Sequence, residues 1–180
     1  VMRIKPENFR SLFSVRQQMA DLDYQEVVNY SFVEEAWEKD FAGNEDPIRL
    51  LNPIASQMSV MRSTMIGNLV ANVRYNLNRK FSRIRLFEIG AVFLKNSEVK
   101  DGPASVAGYD QPKRLAAIAY GLADEEQWGL PDRQVDFYDV KADLEALFAP
   151  VSLRFVKTSH PALHPGRCAR LELNGREIGI

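Results

Sequence analysis

Residues 62–94 read RSTMIGNLVANVRYNLNRKFSRIRLFEIGAVFL. In the first part Met65, Ile66, Leu69, Val70, Val73 and Leu77 recur at three- and four-residue steps. That spacing puts apolar side chains on one face of an α-helix. Ser59 or Ser63 can cap this helix, because a Ser hydroxyl accepts from the first free backbone amides. The second part, Arg83 to Leu94, is long and apolar for a strand. Ile84, Leu86, Glu88 and Val92 fall to one side, and Arg85, Phe87, Ile89, Ala91 and Phe93 to the other. Both sides call for cover, so the strand is expected in the middle of a sheet. The segment Arg62–Arg85 also holds six basic residues and no acidic one, in a chain of 180 residues with net charge −1.

The flanking sequence supplies the remaining elements. Pro6 to Asp23 has helical spacing at Leu12, Val15, Met19 and Leu22, so a leading helix over roughly the first 20 residues is expected. Val28, Tyr30 and Phe32 alternate as on one face of a strand. Glu34 to Phe41 reads as a short polar helix, and Ile48 to Leu51 as a short strand stopped by Asn52-Pro53. Lys95 to Pro112 reads as an exposed loop, and Lys113 to Gly121 as a strand. Asp136 can cap a helix with Phe137, Val140, Leu144, Leu147 and Phe148 inward, ended by Pro150. Leu153, Phe155 and Val156 mark another strand. Asn174-Gly175 joins a hairpin through a type I′ turn, and the chain stops inside the return strand. A free apolar edge invites aggregation, which points to a piece of a longer protein. The mixture predicts one α+β domain over residues 1–180 with a mostly antiparallel sheet. A chain of this length buries roughly 70% of its unfolded surface.

Most familiar chemistries lack their residues. No two glycines are separated by one residue, so the dinucleotide fingerprint is absent, as are a P-loop and a nucleophile elbow. His160 and His164 are four apart, but Pro161 and Pro165 forbid the helix that would pair them on a metal; a proline-stiffened turn accounts for them. Cys168 is the single cysteine, so no internal disulfide forms and a reducing cytoplasmic setting is expected. A buried apolar thiol is the expected role, despite nearby His164. Asn29-Tyr30-Ser31 spells a glycosylation sequon inside the strand expected there. No apolar run approaches the ~18 residues of a membrane span, and no signal peptide opens the chain, so no membrane partner is expected.

Charge marks two places. Glu88 falls in the core strand, where an unpaired carboxylate costs several kcal/mol. A structural ion pair with a nearby arginine is therefore expected. Asp136, Asp139 and Asp143 are read as helix caps and dipole partners rather than metal ligands. On the basic segment Arg74, Arg79, Lys80 and Arg83 lie off the apolar stripe. They either contact phosphates, with Tyr75 and Phe81 as the nearby aromatics, or form a solvated face. As a third option they pair with the acidic run Glu34–Asp46 or with a second subunit.

In chain order, YQEVVNYSFV, LLNPIASQMSVMRSTMIGNLVANVRYNLNR, RIRLFEIGAVF, WGLPDRQVDFYDVKADLEALF and HPALHPGRCARLELNGREIG resemble the β subunit of bacterial phenylalanine–tRNA ligase. The resemblance runs from about Asp21 to Ile180 and falls on that subunit's synthetase-like core. NP-x5-SVMR, LFEIGAVF, DFYDVKADLE and HPALHPG are its most specific parts. It implies a class II aminoacyl-tRNA synthetase-like fold, a mostly antiparallel sheet flanked by helices, here truncated. It also implies a non-catalytic structural and assembly module of an α2β2 heterotetramer, with phenylalanine, ATP and Mg2+ bound by the α subunit. tRNA(Phe) is then met through the holoenzyme. Catalytic class II enzymes grip the ATP α-phosphate with an arginine on the strand aligned with RIRLFEIG. Arg83, Arg85 and Glu88 stand in that neighbourhood, but the phosphate-gripping loop is not recognisable. No catalytic, cofactor or metal residue is therefore assigned. Arg74, Arg79, Lys80 and Arg83 are kept as candidate tRNA or subunit contacts, and RNA binding through Arg62–Arg85 as the alternative function.

Overall fold

The computed structural model describes residues 10–103 and 105–180. Its helices are α1 (Leu12–Asp21), α2 (Glu35–Trp37), α3 (Ile66–Leu77) and α4 (Phe137–Phe148). Its strands are β1 (Gln25–Glu26), β2 (Phe32–Val33), β3 (Val60–Met61), β4 (Ile84–Ala91) and β5 (Leu94–Lys95), then β6 (Tyr109–Asp110), β7 (Lys113–Tyr120), β8 (Arg154–Lys157), β9 (Ala169–Leu173) and β10 (Arg176–Gly179). All named strand pairs are antiparallel except β1 with β4, so the fold is α+β with mostly antiparallel pairing.

β4 is the middle of a three-stranded sheet, between β1 and β7. Its pairing with β7 runs unbroken from Ile84 opposite Tyr120 to Ala91 opposite Lys113. Its alternation builds two cores. Phe87 packs on one face with Met19 of α1, Leu147 of α4, and Tyr24. Ile84 and Leu86 pack on the other with Leu69 and Val73 of α3. Helices thus cover both faces, as the apolar run requires.

Capping fixes where the helices begin. α1 starts after Ser11, whose side chain accepts from the Ser14 amide at 3.1 Å. The helix expected from Pro6 is therefore shorter, and Pro6–Phe9 lie outside the described residues. α4 starts at the expected cap. Asp136 accepts from Tyr138 and Asp139, and the Asp139 carboxylate accepts the Asp136 amide in return. α3 departs from expectation: neither Ser59 nor Ser63 caps it. The N-cap position is Met65, and the Thr64 hydroxyl accepts from the Ile66 amide at 3.3 Å. The Ser63 amide instead donates to buried Glu38 at 2.8 Å. Glu38 follows α2 in a π-type turn, Glu38–Ala42, closed by Gly43 at φ 63°.

The strand expected across Tyr24–Val33 is broken. Only its two ends form strands, β1 against β4 and β2 against β3, and Val28 and Tyr30 project into solvent at 90% and 68% exposure. The reason is Asn29, whose amide turns inward to Glu88 and so sends both neighbours outward. Ile48–Leu51 is reduced to one bridge, Arg49 with Val60. The Lys95–Pro112 loop contains the short β5–β6 pair. The C-terminal hairpin has the expected turn, with Asn174 at φ 50° and Gly175 at φ 77°. It extends a second sheet, β10–β9–β8, which meets α4 through an edge-to-face contact of Phe155 with Phe137.

Candidate functional site

Polar groups gather along β4. Glu88 and Arg62 form an ion pair of 2.7 Å whose side chains are 4% and 2% exposed. The second Glu88 oxygen accepts from Asn29 Nδ2 at 2.8 Å. Asn29 in turn accepts from Asn72 Nδ2 of α3 at 3.1 Å. Arg62 also donates from Nε to the Ala91 carbonyl at 3.1 Å and from Nη1 to Asn68 at 3.3 Å. The pair is thus hydrogen-bonded on both sides, the condition for tolerating two charges in a low-dielectric interior. Gly90 is part of the arrangement. A Cβ there would lie 2.3 Å from Arg62 Nη2 and 2.9 Å from Glu88 Oε1.

Arg85 on β4 and Arg83 just before it are also ion-paired. Arg85 pairs with Asp143 of α4 at 2.9 Å, and the same carboxylate oxygen accepts the Tyr24 hydroxyl at 2.8 Å. Burial, then the hydrogen bond to Asp143 and its negative charge, hold the Tyr24 phenol well above the ordinary tyrosine range. Asp143 is therefore a packed partner of the sheet rather than a dipole partner only. Arg83 pairs with Asp23 at 2.5 Å. Arg83 and Arg85 both donate to the Ala123 carbonyl, at 3.3 and 3.4 Å.

Arg74, Arg79 and Lys80 lie exposed at the end of α3, where none has a carboxylate partner among the described residues. Arg79 stacks its guanidinium 3.3 Å from the centre of the Tyr75 ring and donates to the Tyr75 carbonyl. Arg83, grouped with them by sequence, is separated by its pairing. The acidic run does not meet this cluster: Glu35 pairs with Arg49, Asp46 with Lys95, and Glu38 accepts from Asn44 and Ser63.

The remaining candidates have local partners. His160 and His164 sit in turns, and each Nδ1 accepts a backbone amide, from Ala162 and Gly166. Cys168 is buried just before β9, and burial raises its thiol pKa. Among the described residues no group of three or more His, Cys, Asp or Glu could hold a metal ion. An open cavity of about 340 Å³ lies where the α3–β4 turn meets the loop after β7, walled by Phe81, Arg83, Arg85, Asp23, Glu125 and Glu126. Its two cations are ion-paired through Nη1, with each buried Nε left without a hydrogen-bond partner among the described residues, and its other charges are carboxylates, which repel a nucleoside triphosphate.

Sequence reasoning had placed Glu88 but not its surroundings. Arg62 and Asn29 bond it from two distant segments, Asn68 and Asn72 of α3 bond those two in turn, and Gly90 on the same strand leaves them room. The one advance signal was that a buried carboxylate needs a cation.

The fold and site define an α+β module whose central strand carries ion-paired Arg85 and Glu88, with helices on both faces of that strand. Residues 2–180 match the family described as the phenylalanyl-tRNA synthetase β-chain CLM domain, and the chain belongs to that family. Its relatives include phenylalanine–tRNA ligase β subunits from Burkholderia pseudomallei strain 1710b, 58% identical over 178 residues, and Cupriavidus pinatubonensis, 59% over 179. That of Bordetella bronchiseptica is 61% identical over 180 residues. Each match covers 99% of this chain and 22% of the relative, so the chain spans about a fifth of their length. Among solved structures, a pyrrolysyl-tRNA synthetase of Desulfitobacterium hafniense superimposes with a TM-score of 0.49 at 13% identity, covering 83% of this chain and 50% of that one.

Proposed function

We propose that this chain is a non-catalytic structural and assembly module of phenylalanine–tRNA ligase, whose holoenzyme joins phenylalanine to tRNA(Phe) using ATP and Mg2+. The observation that carries this reading is the pairing of Arg83 and Arg85 with Asp23 and Asp143. In a catalytic class II enzyme an arginine of this strand is free to grip a phosphate; here each carries its own counter-charge. The module's task is then shape: to present surfaces to a catalytic α subunit in an α2β2 assembly. Leu51 and Ile54, fully and 84% exposed, are apolar groups of the kind such a contact covers. A cytoplasmic location goes with this task. No described helix is long and apolar enough to cross a membrane.

Co-expression of the intact β subunit with its α subunit tests the reading. A stable complex is expected, together with no saturable heat when ATP or phenylalanine is titrated into this module. Saturable binding of either ligand to the module, or failure of the two subunits to associate, contradicts it.

The second reading, tRNA binding through Arg74, Arg79 and Lys80, is favoured by one observation. These cations have no carboxylate partner among the described residues, and Tyr75 and Phe81 are exposed beside them. It predicts tRNA affinity that falls steeply with salt. Replacing Arg74 and Lys80 by Ala should reduce the slope of log K against log salt by about 2. An unchanged slope rules this reading out.

A further inference from the structure

Between β7 and α4 the chain leaves the sheet and returns on a paired stalk. The Ala123 amide donates to the Arg133 carbonyl and the Val135 amide to the Gly121 carbonyl, both at 2.9 Å, with Leu122 bridged to Gln134. The stalk is fixed from below. Arg83 and Arg85 hold the Ala123 carbonyl, Ala123 is buried, and Gly121 packs against the Ser82 carbonyl so closely that a Cβ would lie 1.8 Å from it. Arg133 is bound to Asp139 by two hydrogen bonds, 2.7 and 2.6 Å.

The loop on this stalk, residues 124–132, buries little of itself. Trp128 is fully exposed and Leu130 half-exposed, on either side of Gly129 at φ 88°, where only glycine turns without strain. A tryptophan standing free in water forgoes the burial of 150–250 Å² that its ring offers. Such a ring on a preorganised support is the form of an interface anchor. Around it stand Asp124, Glu125, Glu126 and Asp132, while the described cations beside them are engaged: Arg133 by Asp139, and Arg83 and Arg85, which share a cavity wall with Glu125 and Glu126, by Asp23 and Asp143. Four carboxylates repel phosphate, so nucleic acid and anionic membrane are poor occupants. The complementary surface is a protein pocket, apolar at its centre and rimmed by Lys or Arg.

We propose that loop 124–132 is an anchor that inserts Trp128 and Leu130 into an apolar, cation-rimmed pocket of the catalytic α subunit. This rests on the assembly reading above, in which the family's β subunit meets an α chain. It assigns the contact to a segment on the far side of β4 from the α3 stripe.

Site-specific photocrosslinking in the holoenzyme tests it. With p-benzoylphenylalanine in place of Trp128 in the full-length β subunit, irradiation of the assembled ligase should give an α–β adduct. The same probe at Lys100, an exposed loop residue where no contact is proposed, should give less. An adduct within the β chain, a β–β adduct, a tRNA adduct or no adduct overturns the proposal. Trp128→Ala should speed α–β dissociation at least about tenfold, and Glu125→Lys with Glu126→Lys should do so most at low salt. Unchanged dissociation in all of these variants also overturns it. If the unsubstituted α and β chains do not co-purify, the assembly reading fails and takes the anchor with it. If they co-purify and position 128 forms no α–β adduct, only the anchor fails.

Discussion

Arg62 Nη2 donates to Glu88 Oε1 at 2.7 Å across 26 residues of sequence, with both side chains all but removed from solvent. The pair ties the segment entering α3 to the centre of β4. The Arg62 amide also donates to Ser31, and its carbonyl accepts from Phe93, both at 2.9 Å. A charge held this way is unavailable to a substrate. It fixes the orientation of helix, strand and the Asn29 loop together.

Glu88→Ala leaves Arg62 buried without its counter-charge and should cost about 3–5 kcal/mol. Replacing both residues by methionine removes both charges and should be milder, about 1–3 kcal/mol, since Asn29, Asn68 and the Ala91 carbonyl lose their partners. Urea denaturation of the two variants and the parent chain measures the difference. Equal losses in the two variants would contradict the pairing argument.

Gly90→Ala places a methyl group where Arg62 Nη2 and Glu88 Oε1 already lie. It should cost about 1–3 kcal/mol, since the ion pair must move to admit it. In a chain already carrying Arg62→Met and Glu88→Met the same change should cost less. Additive losses in a double-mutant cycle would show that Gly90 acts independently.

Tyr24 gives the alkaline limit. Its folded pKa is raised above the ordinary 10.0. The unfolded phenol therefore ionises first, and stability is fully present below about pH 10 and falls as the pH rises beyond it. The slope is about 1.4 kcal/mol per pH unit from this group. Tyr24→Phe should remove that slope while losing the hydrogen bond to Asp143, about 1 kcal/mol at neutral pH. Denaturation curves at pH 8 to 11 compare the two chains.

Asp139 gives an acid limit of opposite sign. Hydrogen bonding to Arg133 lowers its pKa from 3.8 to about 2. The stability it contributes is present above about pH 4 and is lost as the pH falls toward 2. Arg133 is half exposed, so salt should screen most of this contribution. A carboxyl-carbon NMR titration should return Asp139 toward its ordinary value in Arg133→Ala. An unchanged titration would remove the Arg133 explanation.

Local periodicity made much of the fold legible. The α3 stripe, the central position of β4, the Asp136 cap and the Asn174-Gly175 turn each depend on residues close in sequence. What the pattern misjudged depends on distant ones. Val28 and Tyr30 alternate as a strand should, yet Asn29 turns inward because Glu88, 59 residues away, needs a donor. Ser63 was a reasonable cap, but the helix begins only after Met65, beyond reach of that cap, while the Ser63 amide holds Glu38. For the site, a buried Glu88 demanded a cation, and no local rule could select Arg62 over Arg83 or Arg85. Those two were drawn to Asp23, read only as the end of the leading helix, and to Asp143, read only as a cap or dipole partner.

Phenylalanine-dependent ATP–pyrophosphate exchange by an assembled ligase, with Arg62→Met and Glu88→Met in its β subunit, bears most directly on the scaffold role proposed for the module. With complex formation verified, exchange should stay within about twofold of the parent enzyme, since exchanging a buried ion pair for packed apolar groups leaves a scaffold standing. A loss of a hundredfold or more in an intact complex would place these β-chain charges in the chemistry and contradict the account.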